Sequence, residues 1–382
     1  MASKALVIGL DCAAPQWVFD RWLDELPTIR SLTERGTFGI LRSCEPPITV
    51  PAWSVMTSSR TPGSLGFYGF RNRRDHSYDA MAFADSRAVR VPRVWDLLSQ
   101  ADRPVVVLGV PQTYPVSSVN GVMVSCFLTP DTAKSEYTYP PELKDEIEGL
   151  VGRYMVDVDN FRTEEKGRLL EQIEEMTATR FRVAEHLLEV KPWDLFFMVE
   201  MGTDRMQHGF RRFFDPLHRL HEAGNGFEQV ALDYYRALDE KVGSLLRFVD
   251  DNTAVLVVSD HGAKRMEGAI CVNEWLRQEG YLTLKREPVE PTRLTADLVD
   301  WERTAAWGEG GHYGRLFLNV ACREHRGAVE PVHYDRVRGD LKTKLEALGD
   351  DRGRPLRSGS CARGSRRSHS LTQMPPSIFF AP

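Results

Sequence analysis

Short apolar runs separated by amphipathic stretches organise the chain. Ala5 to Gly9 in KALVIGLD reads as a buried strand, and Leu26 to Arg35 carries its apolar positions at helical spacing. Phe38 to Arg42 predicts a strand. PAWSVMTSS predicts a helix over Pro51 to Ser59, opened by a proline. A helix at Val94 to Gln100 and strands at Pro104 to Gly109 and Gly121 to Cys126 follow. After an interruption the pattern resumes with a strand in Asp194 to Met201, a helix from Phe227 to Asp250 and a strand from Ala254 to Ser259. This alternation predicts an α/β fold whose mainly parallel sheet is sandwiched between helices.

The interruption, 129–192, holds helical patterns and no clear core strand, so it reads as a helical cap inserted into a core made of 1–128 and 193–350. Beyond Ser259, ICVNEWLRQEGYLTLK predicts a short helix followed by a strand, and Gly314 to Val320 another strand. From 351 to 382 the composition turns to Arg, Ser and Gly without periodicity, which predicts an atypical tail, disordered or truncated.

Composition narrows the function classes. At 382 residues and 42% hydrophobic content the chain can bury a large core unaided. A net charge of −5 gives no general field for nucleic acid. Arg71-Asn72-Arg73-Arg74 is one local basic run, a solvated loop or a contact for an anionic substrate. The cysteines, at 12, 44, 126, 271, 322 and 361, show no paired spacing, so neither a disulfide framework nor a cysteine metal site is expected. With no signal-peptide pattern and no apolar run near 18 residues, no membrane partner is expected and the expected location is the cytoplasm. The oligomeric state is open.

Candidate chemistry gathers at the predicted ends of strands, where open α/β sheets place ligands. Asp11 ends VIGLD, Asp204 and His208 follow FFMVEM, and Asp260-His261 ends VLVVSDHG. If a helix begins near Gly202, Asp204 and His208 leave one face a turn apart. Gly262 permits a tight turn after Asp260-His261. Carboxylates and imidazoles of this kind bind Zn²⁺ and similar ions with roughly four ligands each. These five residues nearly fill two metal sites, and two metals clamp the oxygens of an in-line phosphoryl displacement. Thr49, in PPITVPAW, is either a helix cap or a nucleophile that a metal would have to activate, with the Val50 N–H as an oxyanion donor. Trp53, Phe67, Tyr68 and Trp307 are aromatic candidates for a pocket lining.

The order Asp11, Thr49 in PPITVPAWSVMTSSRTPGSLGFYGF, Asp204-x-x-x-His208 and Ser259-Asp260-His261-Gly262 resembles the alkaline phosphatase superfamily, in its type I phosphodiesterase/nucleotide pyrophosphatase branch, across roughly residues 4 to 345. The nearest likeness is to the prokaryotic phosphohydrolase and phosphomutase-like members. The resemblance implies an alkaline phosphatase-like fold and a phosphoric ester hydrolase acting on a small phosphate ester through a phospho-threonine at Thr49. It also implies two divalent ions, zinc or in some relatives manganese. One is held by Asp11, Asp260 and His261 with Thr49, the other by Asp204 and His208.

The chain departs from that pattern in places. Val50-Pro51-Ala52-Trp53 lacks the phosphate-binding asparagine of the eukaryotic-type pyrophosphatases, and Leu65 replaces a histidine common in the following Gly-rich segment. The family closes its second metal site with a histidine in a downstream Gly-x-His segment, beyond the end of this chain. His312 and His369 are the available substitutes. A phosphomutase and a homologue impaired by the missing ligand therefore stay open as alternatives. A sulfatase does not, because Cys44-Glu45-Pro46-Pro47-Ile48 lacks the arginine of C/S-x-P-x-R.

Overall fold

A computed structural model describes residues 2–310 and 313–350, with the backbone of the strand 377–380. The chain divides into two compact units, one of Met1–Leu65 with Ala84–Glu267, the other of Gly66–Phe83 with Gly268–Pro382.

In the first unit the strands are β1 (Lys4–Leu10), β2 (Val105–Leu108), β3 (Gly121–Val124), β4 (Thr138–Tyr139), β5 (Leu195–Glu200) and β6 (Thr253–Val258). They form one sheet in the order β4-β3-β2-β5-β1-β6, parallel throughout except for the antiparallel edge strand β4. Every residue of β2 and β5 is buried, as expected for parallel strands covered on both faces. The covering helices are α1 (Pro27–Arg35), α2 (Thr49–Ser58), α3 (Val94–Gln100), α4 (Leu143–Val151), α5 (Lys166–Val190), α6 (Gly202–Phe214) and α7 (Val230–Leu245). Helix α5 buries Leu169, Ile173, Met176, Phe181, Ala184, Leu187 and Leu188, spaced three, four and seven apart, in the same apolar cluster as the strands. Each large member contributes roughly 1.5–3 kcal/mol by leaving water.

Register decides where the chemistry lands. Leu10 on β1 lies opposite Glu200 on β5, and Gly9 lies opposite Val258 on β6. Three neighbouring parallel strands therefore end side by side, and Asp11, the start of α6 and Ser259-Asp260-His261 all leave the sheet at one edge.

The second unit contains β7 (Ala306–Gly310), β8 (Gly314–Leu318) and β9 (Ser377–Phe380), an antiparallel sheet in the order β9-β8-β7, with a hairpin of Arg71–Arg73 and Met81–Phe83. Helices α8 (Val272–Gln278) and α9 (Tyr334–Glu346) complete it. Its core includes Trp301, Trp307, Leu316, Phe317 and Leu341. No described helix of the chain is long and apolar enough to cross a membrane.

Several local expectations change. Residues 37–44 form no strand: Phe38, Ile40 and Leu41 are exposed, and a short apolar run by itself supplies no neighbour to pair with. The second helix starts at Thr49 rather than Pro51. Directly after α8, where a strand was expected, there is only an isolated bridge between Leu284 and Val299. Segment 129–192, in which no core strand was expected, supplies β4. Trp53, Phe67 and Trp307 are buried. Arg73 is not on a solvated loop: it is paired with Glu324 at 2.9 Å and lies over Trp307 and Phe317. His312 and His369 lie outside the described residues.

Candidate active site

The site is built where β1, β5 and β6 end. Asp11 is fully buried, and its amide donates to the Glu200 carbonyl at 2.9 Å, continuing the β1–β5 ladder by one bond. The next residue, Cys12, turns at φ 61°, left-handed backbone that a non-glycine residue adopts at a cost of roughly 1 kcal/mol or more. That turn aims the Cys12 N–H at Asp260 Oδ1, 3.2 Å away. After β6, Ser259 Oγ accepts from the Ala13 amide at 3.0 Å and donates to the His261 carbonyl at 2.9 Å, which ties the loop carrying Asp260 and His261 to the end of β1.

Thr49 is the first residue of α2, with Ile48 as the N-cap in extended conformation. Its hydroxyl is consequently not used as a cap. It stands 2.9 Å from His261 Nε2 and 3.4 Å from Asp11 Oδ1, buried. One turn on, Trp53 donates from Nε1 to Asp11 Oδ2 at 2.7 Å. Gly9 permits this: a Cβ there would lie 2.4 Å from Trp53 Cη2.

Helix α6 carries the remaining pair. Asp204 Oδ1 is 3.4 Å from His208 Nε2, one turn along, and Asp204 Oδ2 accepts from Arg205 Nη1. The Thr203 hydroxyl donates to the Asp11 carbonyl and links α6 to β1.

A common arrangement runs through the three buried carboxylates. Each has one oxygen held by an N–H donor: Asp11 Oδ2 by Trp53, Asp204 Oδ2 by Arg205 and Asp260 Oδ1 by Cys12. Each turns its other oxygen toward an imidazole. Asp11 Oδ1 and Asp260 Oδ2 lie 3.5 and 3.3 Å from His261 Nε2, and Asp204 Oδ1 faces His208. Asp260 Oδ2 is buried with no hydrogen-bond partner. Among the described residues, Asp11, Asp204 and His261 bring one ligand atom each within 4.8 Å of one another. The two ligand sets implied by the sequence thus adjoin.

Electrostatics follow from that crowding. Burial, then the neighbouring Asp260 and Asp204 charges, push the Asp11 carboxyl well above its usual range. Burial likewise raises Asp260, to about 6, against the lowering pull of His261. Burial alone would lower His261, but Asp260, Asp11 and Asp204 outweigh it and raise the imidazole to about 9. For Asp204, burial is outweighed by His208 and Arg205, and the carboxyl falls below its usual range. Buried carboxylates, one with an orphaned oxygen, converge here with imidazole nitrogens, and these oxygen and nitrogen donors suit a divalent ion of the zinc or manganese kind. The residues present therefore fit a metal centre.

Sequence reading missed the groups that fix the carboxylates: Trp53, Arg205 and the Cys12 amide. Trp53 and Arg205 stand three or four residues from, or next to, the ligands. The Cys12 amide depends on a backbone turn that no side chain announces.

The type I phosphodiesterase/nucleotide pyrophosphatase family model matches residues 5–362. None of the curated proteins matches the chain significantly in sequence. Among solved structures, phosphonoacetate hydrolase from Sinorhizobium meliloti 1021 is similar in two complexes, with phosphonoformate and with phosphonoacetate. Each superposes with a TM-score of 0.56 at 15% identity, over 91% of this chain and 73% of the other. That likeness is one of fold, an alkaline phosphatase-like sheet between helices.

Proposed function

The chain belongs to the type I phosphodiesterase/nucleotide pyrophosphatase family and is a phosphoric ester hydrolase, and from that premise we propose that it cleaves a small phosphate diester through a covalent phospho-threonine at Thr49. The carrying observation is the Thr49 hydroxyl: it is freed from capping, buried, and aimed at His261 Nε2 at 2.9 Å beside Asp11.

In this reading Asp11, Asp260 and His261 with Thr49 hold one divalent ion, and Asp204 and His208 hold a second, zinc or manganese. When bound, such ions supply charge to the phosphoryl oxygens and lower the pKa of a hydroxyl or water beside them. The chain's own groups do the rest. Thr49 Oγ1 gives up its proton and attacks phosphorus; a Thr–O–P bond forms as the P–O bond to the first alcohol breaks, and that alcohol leaves carrying a proton. Water then attacks phosphorus and gives up a proton, the Thr–O–P bond breaks, the threonine oxygen regains its proton and the phosphate monoester departs. His261 Nε2 and Asp11 Oδ1 fix the threonine oxygen on the side from which it attacks. The N–H of Val50, in the first turn of α2, has no intrahelical acceptor and offers a donor to a phosphoryl oxygen.

The test is hydrolysis of bis-p-nitrophenyl phosphate against p-nitrophenyl phosphate after chelation and again with Zn²⁺ or Mn²⁺ restored, with metal content counted in parallel. Metal-dependent release favouring the diester supports the reading. Preference for the monoester would reassign the substrate class, and no release with fewer than two ions bound would overturn the two-metal mechanism.

A further inference from the structure

The residue beside Asp204 carries a full positive charge into a site that has to attract cations. Arg205 is buried, and all three of its guanidinium nitrogens are engaged. Nε and Nη2 donate to Asp157 Oδ1 and Oδ2 at 2.6 and 2.7 Å, while Nη1 alone reaches Asp204 Oδ2. The guanidinium is also held over the Phe161 ring, 4.9 Å from its centroid, and the Phe127 ring, 5.7 Å away. Phe161 in turn meets the His208 ring at 5.3 Å. Asp157 and Phe161 come from the stretch between α4 and α5 and play no part in the reaction described above.

A guanidinium is a rigid planar fork that closes readily on both oxygens of one carboxylate. Released from Asp157, Arg205 would have two further nitrogens to offer Asp204, and a bidentate pair would occupy the oxygen that now faces His208. Asp157 also cancels the arginine's charge, so Asp204 keeps its anionic character in a setting where the aromatic cover weakens solvent screening. Resting on the metal-centre reading above, we propose that Asp157 is a positioning residue: by engaging two of the three nitrogens of Arg205 it restrains the arginine from saturating Asp204, and so sets the affinity of the ion held by Asp204 and His208.

Zinc affinity and stoichiometry, measured by competition with a chromophoric chelator on the full chain, test this without reference to turnover. Asp157→Asn is expected to weaken one of two bound ions by about 10–100-fold, the range for losing a group that orients a metal ligand. That ion is the one lost in Asp204→Asn. Removing the arginine as well, in Asp157→Asn with Arg205→Met, is expected to recover at least part of that loss. Arg205→Met alone and the double variant are expected to bind alike, because Asp157 acts only through Arg205. Unchanged binding in Asp157→Asn, no recovery in the double variant, or different binding by the double variant and Arg205→Met would each overturn the proposal. Should Asp157→Asn fail to fold, the last comparison can still overturn the proposal, since it leaves no unpaired buried guanidinium. A parent chain that binds no metal would sink the metal-centre reading as well, whereas a parent that binds two ions with indifferent variants sinks this proposal alone.

Discussion

Trp53 and Asp11, from α2 and the end of β1, are both buried, and the indole Nε1 donates to Asp11 Oδ2 at 2.7 Å. This bond decides which carboxylate oxygen is left to face His261 and Thr49. Trp53→Phe keeps most of the ring's bulk and deletes the donor. It should lower zinc affinity about 10–100-fold and, in chelator, reduce stability by roughly 1–3 kcal/mol for a buried oxygen left unsatisfied. Zinc competition and denaturant unfolding measure the two effects, and unchanged zinc affinity would remove Trp53 from the metal centre.

Thr49→Ala should reduce kcat on bis-p-nitrophenyl phosphate by roughly a thousandfold or more, the scale on which a lost nucleophile acts. Metal content should stay close to that of the parent, because Asp11, Asp260 and His261 remain. Thr49→Ser retains the hydroxyl and should retain measurable turnover. Asp260→Ala removes an oxygen that already lacks any hydrogen-bond partner and should lose metal together with activity. Parent-like rates in Thr49→Ala would exclude the covalent route.

Metal uptake should depend on pH. In the metal-free site His261 is raised to about 9 and Asp260 to about 6, so at neutral pH the imidazole is protonated and the carboxyl is mostly ionised. A ligating imidazole has to give up its proton, so binding releases protons and tightens as pH rises from about 6 to about 9. Calorimetry in two buffers of different ionisation enthalpy counts the protons. Zinc affinity that is flat across this window would show that His261 is not a ligand.

Much of this arrangement was legible in the sequence because it depends on strand order and strand ends. The runs at Ala5 to Gly9, Asp194 to Met201 and Ala254 to Ser259 announce parallel strands, the last of them only half-buried at the sheet's edge, and side chains placed just after them share an edge by topology. Phe38 to Arg42 misled for the complementary reason: a short apolar run describes a chain that can form a strand, but pairing requires a partner the pattern does not name. Thr49 lies two residues further into the helix than expected, since a threonine ahead of Pro51 looks like a cap until Ile48 is seen in that role. The carboxylate-orienting groups could not be read at all from spacing, because Trp53 and Arg205 also fit as ordinary core and surface residues.

Gly9 ties the fold to the site most directly. A Cβ at this position would lie 2.4 Å from Trp53 Cη2 and 2.8 Å from Val199 Cγ2, so Gly9→Ala overpacks a central strand. Overpacking of this kind costs roughly 1–3 kcal/mol, and the ring it displaces is the one that orients Asp11. Gly9→Ala should therefore resemble Trp53→Phe in zinc affinity as well as destabilise the fold. The two changes should also couple: phenylalanine has no atom equivalent to Cη2, so in the Trp53→Phe background the tightest contact is gone and the Val199 side chain and the Met198 carbonyl, 3.1 Å away, are left to resist the new methyl group. A double-mutant cycle read by denaturant unfolding should give Gly9→Ala a smaller cost in that background, with a coupling of about 0.5–3 kcal/mol. Strict additivity would mean that the glycine serves β1 alone and has no hold on the indole.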